Sequence, residues 1–138
     1  ITRTKPDYYL LLQSVRDSGD WEAWVLYMLQ GVSETSRTTL TLIEGIRHLM
    51  ADYKIRLRRD LPRIYSQDLL NNMFRHPYTR IDYVQSELGI SRQTAAKYLD
   101  LLADSGFLIK RQAGRNNYYI NAPLLTLFLD VSNERQQP

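Results

Sequence analysis

The sequence predicts a mainly α-helical chain: an N-terminal helical segment, a long connecting helix, and then a small helical unit closed by a β-hairpin. Three observations predict it. Apolar residues recur at helical spacing through most of the first 105 positions, Gly89 stands alone between two short amphipathic stretches, and after Gly106 the pattern changes to two short β-like runs. Residues 1–62 are expected to hold the helical segment and connector, 63–130 the second unit, and 131–138 a polar tail.

The first helix follows from Tyr9, Leu12 and Val15, the second from Trp21, Trp24, Val25, Met28 and Leu29. Ser18-Gly19-Asp20 breaks them apart, Asp20 is the expected N-cap, and Gly31 is expected to end or bend the second helix. From Ser33 or Glu34, the stripe Leu40, Ile43, Ile46, Leu49 or Met50 and Tyr53 predicts a third, long helix that Pro62 stops. Leu69, Leu70, Met73 and Phe74 then predict a helix over 64–76, ended by Pro77 because the residue before a proline avoids the helical region. Thr79 is the expected cap of the next helix, with Asp82 in a capping-box-like position and Ile81, Val84 and Leu88 on its buried face. Ser91 is the expected cap of the helix that follows. Beyond Gly106, Phe107–Gln112 and Asn117–Asn121 read as strands around Ala113-Gly114-Arg115-Asn116, and Leu124–Leu129 as a short last helix.

Helix, helix, glycine turn, helix and hairpin is the order of a winged helix-turn-helix. Two helices that cross closely must bury Val84, Leu88, Ile90, Ala95, Tyr98, Leu99 and Leu102, all apolar or small. A larger side chain than Ala95 would push the helices apart. A helical wheel over 91–104 turns Ala95, Tyr98, Leu99 and Leu102 inward and Gln93, Ala96, Lys97, Asp100 and Asp104 outward. Duplex DNA is the expected partner, with the candidate contacts Ser91, Arg92, Gln93, Thr94 and Lys97 at the groove and Lys110, Arg111, Arg115 and Asn116 on the wing. Asp100 and Asp104 would repel phosphate, so only the first two turns can enter a groove. The alternative is a winged helix that contacts protein.

Composition narrows the function further. The 138 residues include 43% hydrophobic and 11% aromatic side chains, which favours a folded chain, and a formal charge of only +3. The excess of positive charge is spread evenly: residues 1–62 carry 9 basic and 8 acidic side chains, and 63–138 carry 9 and 7. With no cysteine, thiol catalysis, zinc-thiolate sites and disulfides are excluded, and the cytoplasm is the expected compartment. No metal site is expected. His48 and His76 lie in separate elements and the six glycines are dispersed, so no catalytic pair, phosphate loop or nucleophile elbow can be named. The basic run Lys54–Arg59 is given no function, because a helix C-terminus favours cations and Ile55 and Leu57 need a core. Trp21, Trp24, Tyr118 and Tyr119 are read as packing residues.

Asp7-Tyr8-Tyr9 through Ser18-Gly19-Asp20-Trp21-Glu22-Ala23-Trp24, the run Tyr65–Asn72 and the run Ser91–Leu99 resemble the C-terminal region of bacterial Fic-family proteins, from about residue 2 to 130. That resemblance implies the end of a Fic domain over residues 1 to about 33, then a connector and a winged helix. In the family, a helical domain transfers AMP from ATP to a protein hydroxyl through an HPFxxGNGR motif. The motif is absent here: His76-Pro77 leads into Tyr78, and no Gly-Asn-Gly-Arg occurs. The chain itself is therefore expected to be non-catalytic and without a cofactor, ATP and Mg belonging to the catalytic part of a longer parent. Glu44-Gly45 comes close to the family's inhibitory motif but has Leu40 where a hydroxyl residue is required. A homodimer through the N-terminal helices is a further expectation, and no membrane contact is expected.

Overall fold

The computed structural model describes residues 5–134, and among them no helix is long and apolar enough to cross a membrane. The order is α1 (Lys5–Ser18), α2 (Trp21–Asp60), α3 (Gln67–Arg75), β1 (Tyr78–Thr79), α4 (Ile81–Leu88), α5 (Arg92–Asp104), β2 (Ile109–Ala113), β3 (Asn116–Ile120) and α6 (Ala122–Glu134). The chain divides into two compact units, residues 1–44 with 130–138, and residues 45–129. The last turns of α2 thus count with the winged unit, whereas the sequence reading grouped residues 1–62. The cause is visible in the packing: Tyr53 and Leu57 are buried in the same core as α3, α4 and α5.

In the first unit, Gly19 (φ 71) turns the chain between α1 and α2, and Tyr8 meets Trp24 edge-on at 4.9 Å. Trp21, expected to pack, is 62% exposed among the described residues. Gly31 does not end a helix, since α2 runs through it for 40 residues. A glycine inside a helix costs about 1 kcal/mol relative to alanine. Gln30 donates to Glu34 at 3.0 Å, and the hydroxyls of Thr38, Thr39 and Thr41 donate to carbonyls four residues back.

Between α2 and α3 the chain makes a turn over 61–64 rather than helix, so α3 is shorter than the predicted 64–76. Ser66 caps it by accepting the Leu69 N–H at 3.0 Å. Thr79 does not cap α4. It lies in β1, 2% exposed, and its hydroxyl donates to Asn72 Oδ1 at 2.6 Å. Arg80 holds the cap position without a side-chain cap bond, and Asp82 holds the Arg80 guanidinium through two 3.0 Å bonds instead of closing a capping box. Gly89 ends α4 in the left-handed region (φ 63), where L residues are strained.

The sheet is antiparallel in the order β1-β3-β2, with Tyr78 opposite Ile120 and Lys110 opposite Tyr119. β1, of only two residues, is not among the strands expected from the sequence. It also began the hairpin too early: Phe107 and Leu108 precede β2 and go into the core, 1% and 3% exposed. Gly114 (φ 61) takes the first central position of a two-residue turn while Arg115 keeps negative φ, the requirement of a type II′ hairpin.

Asn121, fully buried, ties these elements together. Its Oδ1 accepts the Leu124 N–H at 3.2 Å and so caps α6, and its Nδ2 donates to the Met73 carbonyl at 3.1 Å. The Tyr53 hydroxyl donates to the Phe107 carbonyl at 2.9 Å and lies 3.4 Å from Asn121 Oδ1, and burial pushes the Tyr53 phenol up from its ordinary pKa. Helix α6 begins at Ala122 and runs to Glu134, longer than predicted, so Val131–Glu134 of the expected tail are helical and 135–138 lie outside the described residues. Gly45 leaves room for it: a Cβ there would sit 3.1 Å from Leu127 Cδ2.

Two stability outcomes follow from this packing. Asn121→Ala strands the Met73 carbonyl and the Leu124 N–H in the interior and should cost about 2–3 kcal/mol, read as a lower urea midpoint. Gly31→Ala should stabilise by roughly 0.5–1 kcal/mol, because among the described residues no atom lies within 4 Å of the added Cβ.

Candidate nucleic-acid interface

Helix α5 owes its placement to its first turn and its inner face. Ser91 is extended (φ −67, ψ 154), and its Oγ accepts the Thr94 N–H at 3.2 Å. Ala95, Leu99 and Leu102 are fully buried, while Tyr98 and, across the crossing, Leu88 and Ile90 are partly buried against the same core. Gln93 and Lys97 consequently lie on the solvent side, exposed, as does Arg92. None of these three side chains has a hydrogen-bond or ion-pair partner among the described residues. Ser91 and Thr94 are differently placed: their hydroxyls lie 2.9 Å apart, and the pair serves first to start the helix.

The wing divides its cations between two faces, because successive residues of a strand point to opposite sides. Lys110 shares a face with Tyr119 and turns toward α5, where its Nζ lies 2.7 Å from Asp100 Oδ1. The Tyr119 hydroxyl donates to the same oxygen at 2.8 Å, and the Lys110 ammonium stands 5.6 Å from the Tyr119 ring centroid. Lys110 is therefore committed to fastening the hairpin to α5. Arg111 leaves the other face beside Tyr118, and Arg111, Arg115 and Asn116 are exposed with no side-chain partner among the described residues.

That outer face holds a cluster not expected from the sequence. Arg80 lies over the rings of Tyr83 and Tyr118, at 5.3 and 5.6 Å, and Tyr118 meets Tyr78 edge-on at 5.7 Å. Tyr118 does pack, as expected, although much of its contact is with cations and other tyrosines. In the basic run, Leu57 is buried as expected, whereas Ile55 is 67% exposed. The aliphatic and guanidinium parts of its neighbours cover aromatic rings instead, with Arg56 over Phe107 at 4.7 Å and Arg58 over Tyr65 at 4.9 Å. His76 is exposed at the C-cap of α3 and stacks on Tyr78. No group of three or more metal-ligating side chains occurs among the described residues.

The fold and the winged unit's core can be set against known proteins. A family described as protein adenylyltransferase SoFic-like, C-terminal domain, matches residues 49–124, more than half of the chain. The chain belongs to this family. The matched stretch begins in the last turns of α2, includes Tyr53 and Leu57, and ends at Leu124, the buried residue whose N–H Asn121 caps. The SoFic-like match thus includes only the last turns of α2, from residue 49 to Asp60.

The Asp100–Lys110–Tyr119 contact sets a pH dependence. The hydrogen bond from Lys110, then that from Tyr119, holds the Asp100 carboxyl below the usual carboxylate range; the same bond to Asp100 holds Lys110 above the usual lysine range. Burial, then Asp100, pushes the Tyr119 phenol up. The Asp100 contribution is complete above the unfolded carboxylate pKa and disappears as pH falls through the folded one. The Lys110 contribution is complete below the unfolded lysine pKa and disappears as pH rises through the folded one. Wild type should therefore exceed Lys110→Met in stability between roughly pH 5 and 9 by less than about 1 kcal/mol, the pair being half exposed. Urea midpoints measured at pH 2.5 and pH 7 check it, and the gap should shrink at the acid end.

Proposed function

We propose that this domain is a duplex-DNA-binding winged helix that serves a regulatory role beside an AMP-transferring catalytic part in a longer protein. The observation that carries the reading is the exposure of Arg92, Gln93 and Lys97 on the first two turns of α5, without partners among the described residues. Arginine, glutamine and lysine at the start of a second helix-turn-helix helix have the reach and donors to read base edges and bind phosphate. Arg115 and Asn116 at the hairpin tip, with Arg111 beside them, add backbone contacts. Ser91 and Thr94 act by fixing the angle at which α5 enters, and Lys110 by fixing the wing.

Catalysis lies outside this chain, and so do ATP and Mg. The matched family carries the word adenylyltransferase in its description, and the HPFxxGNGR segment does not occur in the 138 residues. A second copy joined through the N-terminal helices would supply a second half-site. Leu10, Trp21 and Leu26, each about 60% exposed or more, offer apolar surface for it.

Fluorescence anisotropy with mixed-sequence duplexes tests the reading. With about four phosphates neutralised, log K should fall with log salt at a slope near ~3.6, a loss on the order of a hundredfold between 50 and 200 mM salt. Lys97→Ala and Arg115→Ala should each weaken binding and reduce that slope by about 1. Absent binding, or binding indifferent to salt and to both substitutions, removes the DNA reading.

A further inference from the structure

The outer face of the sheet, turned away from α5, is rich in aromatic rings. Because side chains alternate along a strand, Thr79, Lys110 and Tyr119 turn inward, while Tyr78, Ile109, Arg111, Tyr118 and Ile120 turn outward. Tyr78 is the hub of that face. Its ring meets Tyr118 edge-on at 5.7 Å, stacks on His76 at 6.2 Å and lies 6.5 Å from Tyr83, yet the residue stays 41% exposed. Three rings fix its orientation, so a ligand that stacks on its open side finds it already ordered.

A hollow of about 190 Å³ opens beside this ring. His76, Tyr78 and Tyr83 bring rings to its lining, and Arg75 and Glu87 bring a donor and an acceptor. The Glu87 carboxylate is answered by Arg75 at 2.7 Å and by the Asn72 amide at 2.8 Å. The charge of the sheet itself is one-sided. Its three strands contain Lys110 and Arg111 and no carboxylate, and Lys110 is engaged by Asp100 on the inner face. On the outer face Arg80 lies 5.6 Å from the Tyr118 ring centroid with Asp82 as its counter-ion. Arg111, opposite Tyr118 in the ladder, is exposed with no partner among the described residues. Neighbouring strands lie about 4.8 Å apart, so Arg111 on β2 stands roughly 10 Å across the sheet from Tyr78 on β1, with Tyr118 on β3 between them.

A held ring, a hydrogen-bonding hollow and an unpaired cation two strands away match one class of ligand, planar bases joined by an anionic backbone. We propose that this outer face holds an unpaired nucleic-acid segment of about two nucleotides, one base stacked on Tyr78 over the hollow and a phosphate on Arg111. In a duplex the faces of the bases are covered by their neighbours, so only an unpaired segment can use the ring. A basic peptide would be repelled by Arg111, and an acidic one would satisfy Arg111 and leave Tyr78 unused. The site lies on the opposite side of the sheet from α5 and stands whether or not α5 reads duplex DNA.

The test titrates the whole 138-residue chain, isotope-labelled, with a fluorescent single-stranded octanucleotide, the same strand annealed to its complement, thymidine monophosphate, and an octapeptide of glutamate. The single strand should bind in a saturable manner and shift amides within 75–83 and 109–120 while leaving those of 91–97 unmoved. Tyr78→Ala should weaken that binding about tenfold and leave any affinity for the duplex unchanged, whereas Tyr78→Phe, which keeps the ring, should bind the strand like wild type. Arg111→Ala should weaken it severalfold and lower its salt slope by about 0.7. Should Tyr78→Ala fail to fold, Tyr78→Leu, which fills similar space without a π face, carries the same comparison with Tyr78→Phe. The proposal is overturned by no saturable binding of the single strand, by shifts centred outside 75–83 and 109–120, by affinity indifferent to loss of the Tyr78 ring, or by equal affinity for the monophosphate or the glutamate peptide.

Discussion

The winged unit depends on how closely α4 and α5 can approach. Ala95 lies at their crossing with no exposed surface, and Gly89 reverses the chain between them at φ 63. Since the core is close-packed, a longer side chain at position 95 would have to displace Val84 or Leu99, both fully buried, or lift α5 away. The exposure of Gln93 and Lys97 is a consequence of that depth. So is the contact between Asp100 and Lys110, which requires α5 to lie low enough for the hairpin to reach it.

Around this crossing the long-range order comes from a few polar bonds and not from apolar burial alone. Tyr53 brings α2 to Phe107, Asn121 brings α6 to Met73, and Thr79 brings β1 to Asn72, which in turn donates to Glu87 at 2.8 Å. No buried side-chain nitrogen or oxygen among the described residues lacks a partner. Each bond joins residues that the hydrophobic effect would bring only roughly together, and each fixes an angle. The orientation of the wing relative to α5 is fixed in the same way by Asp100, Lys110 and Tyr119.

What could be read from the sequence follows the range of the interactions concerned. The inner face of α5, the cap at Ser91 and the turns at Gly89 and Gly114 are local, and their residues announce them. The start of α3 differs from expectation because Ile64 turns into the core before Ser66 caps the helix, and that of α6 because Asn121, which caps it, is held in the interior by its bond to the distant Met73 carbonyl. Thr79 looked like a cap until a partner seven residues earlier, Asn72, took its hydroxyl. Glycine often stops a helix, yet α2 carries Gly31 inside its 40 residues. Of the candidate site residues, Lys110 was the one whose environment was least visible, since its partners lie 10 and 9 positions away on a helix and a strand.

The proposed DNA reading requires α5 to carry two chemistries on one surface, a cationic and polar start and an acidic end that repels phosphate. Amide shift mapping of the full chain titrated with a mixed-sequence duplex at 50 mM salt tests it most directly. Shifts are expected at 91–97 and 111–116, with Asp100 and Asp104 unmoved. Shifts centred on residues 100–104, or none above the noise at saturating duplex, would contradict it.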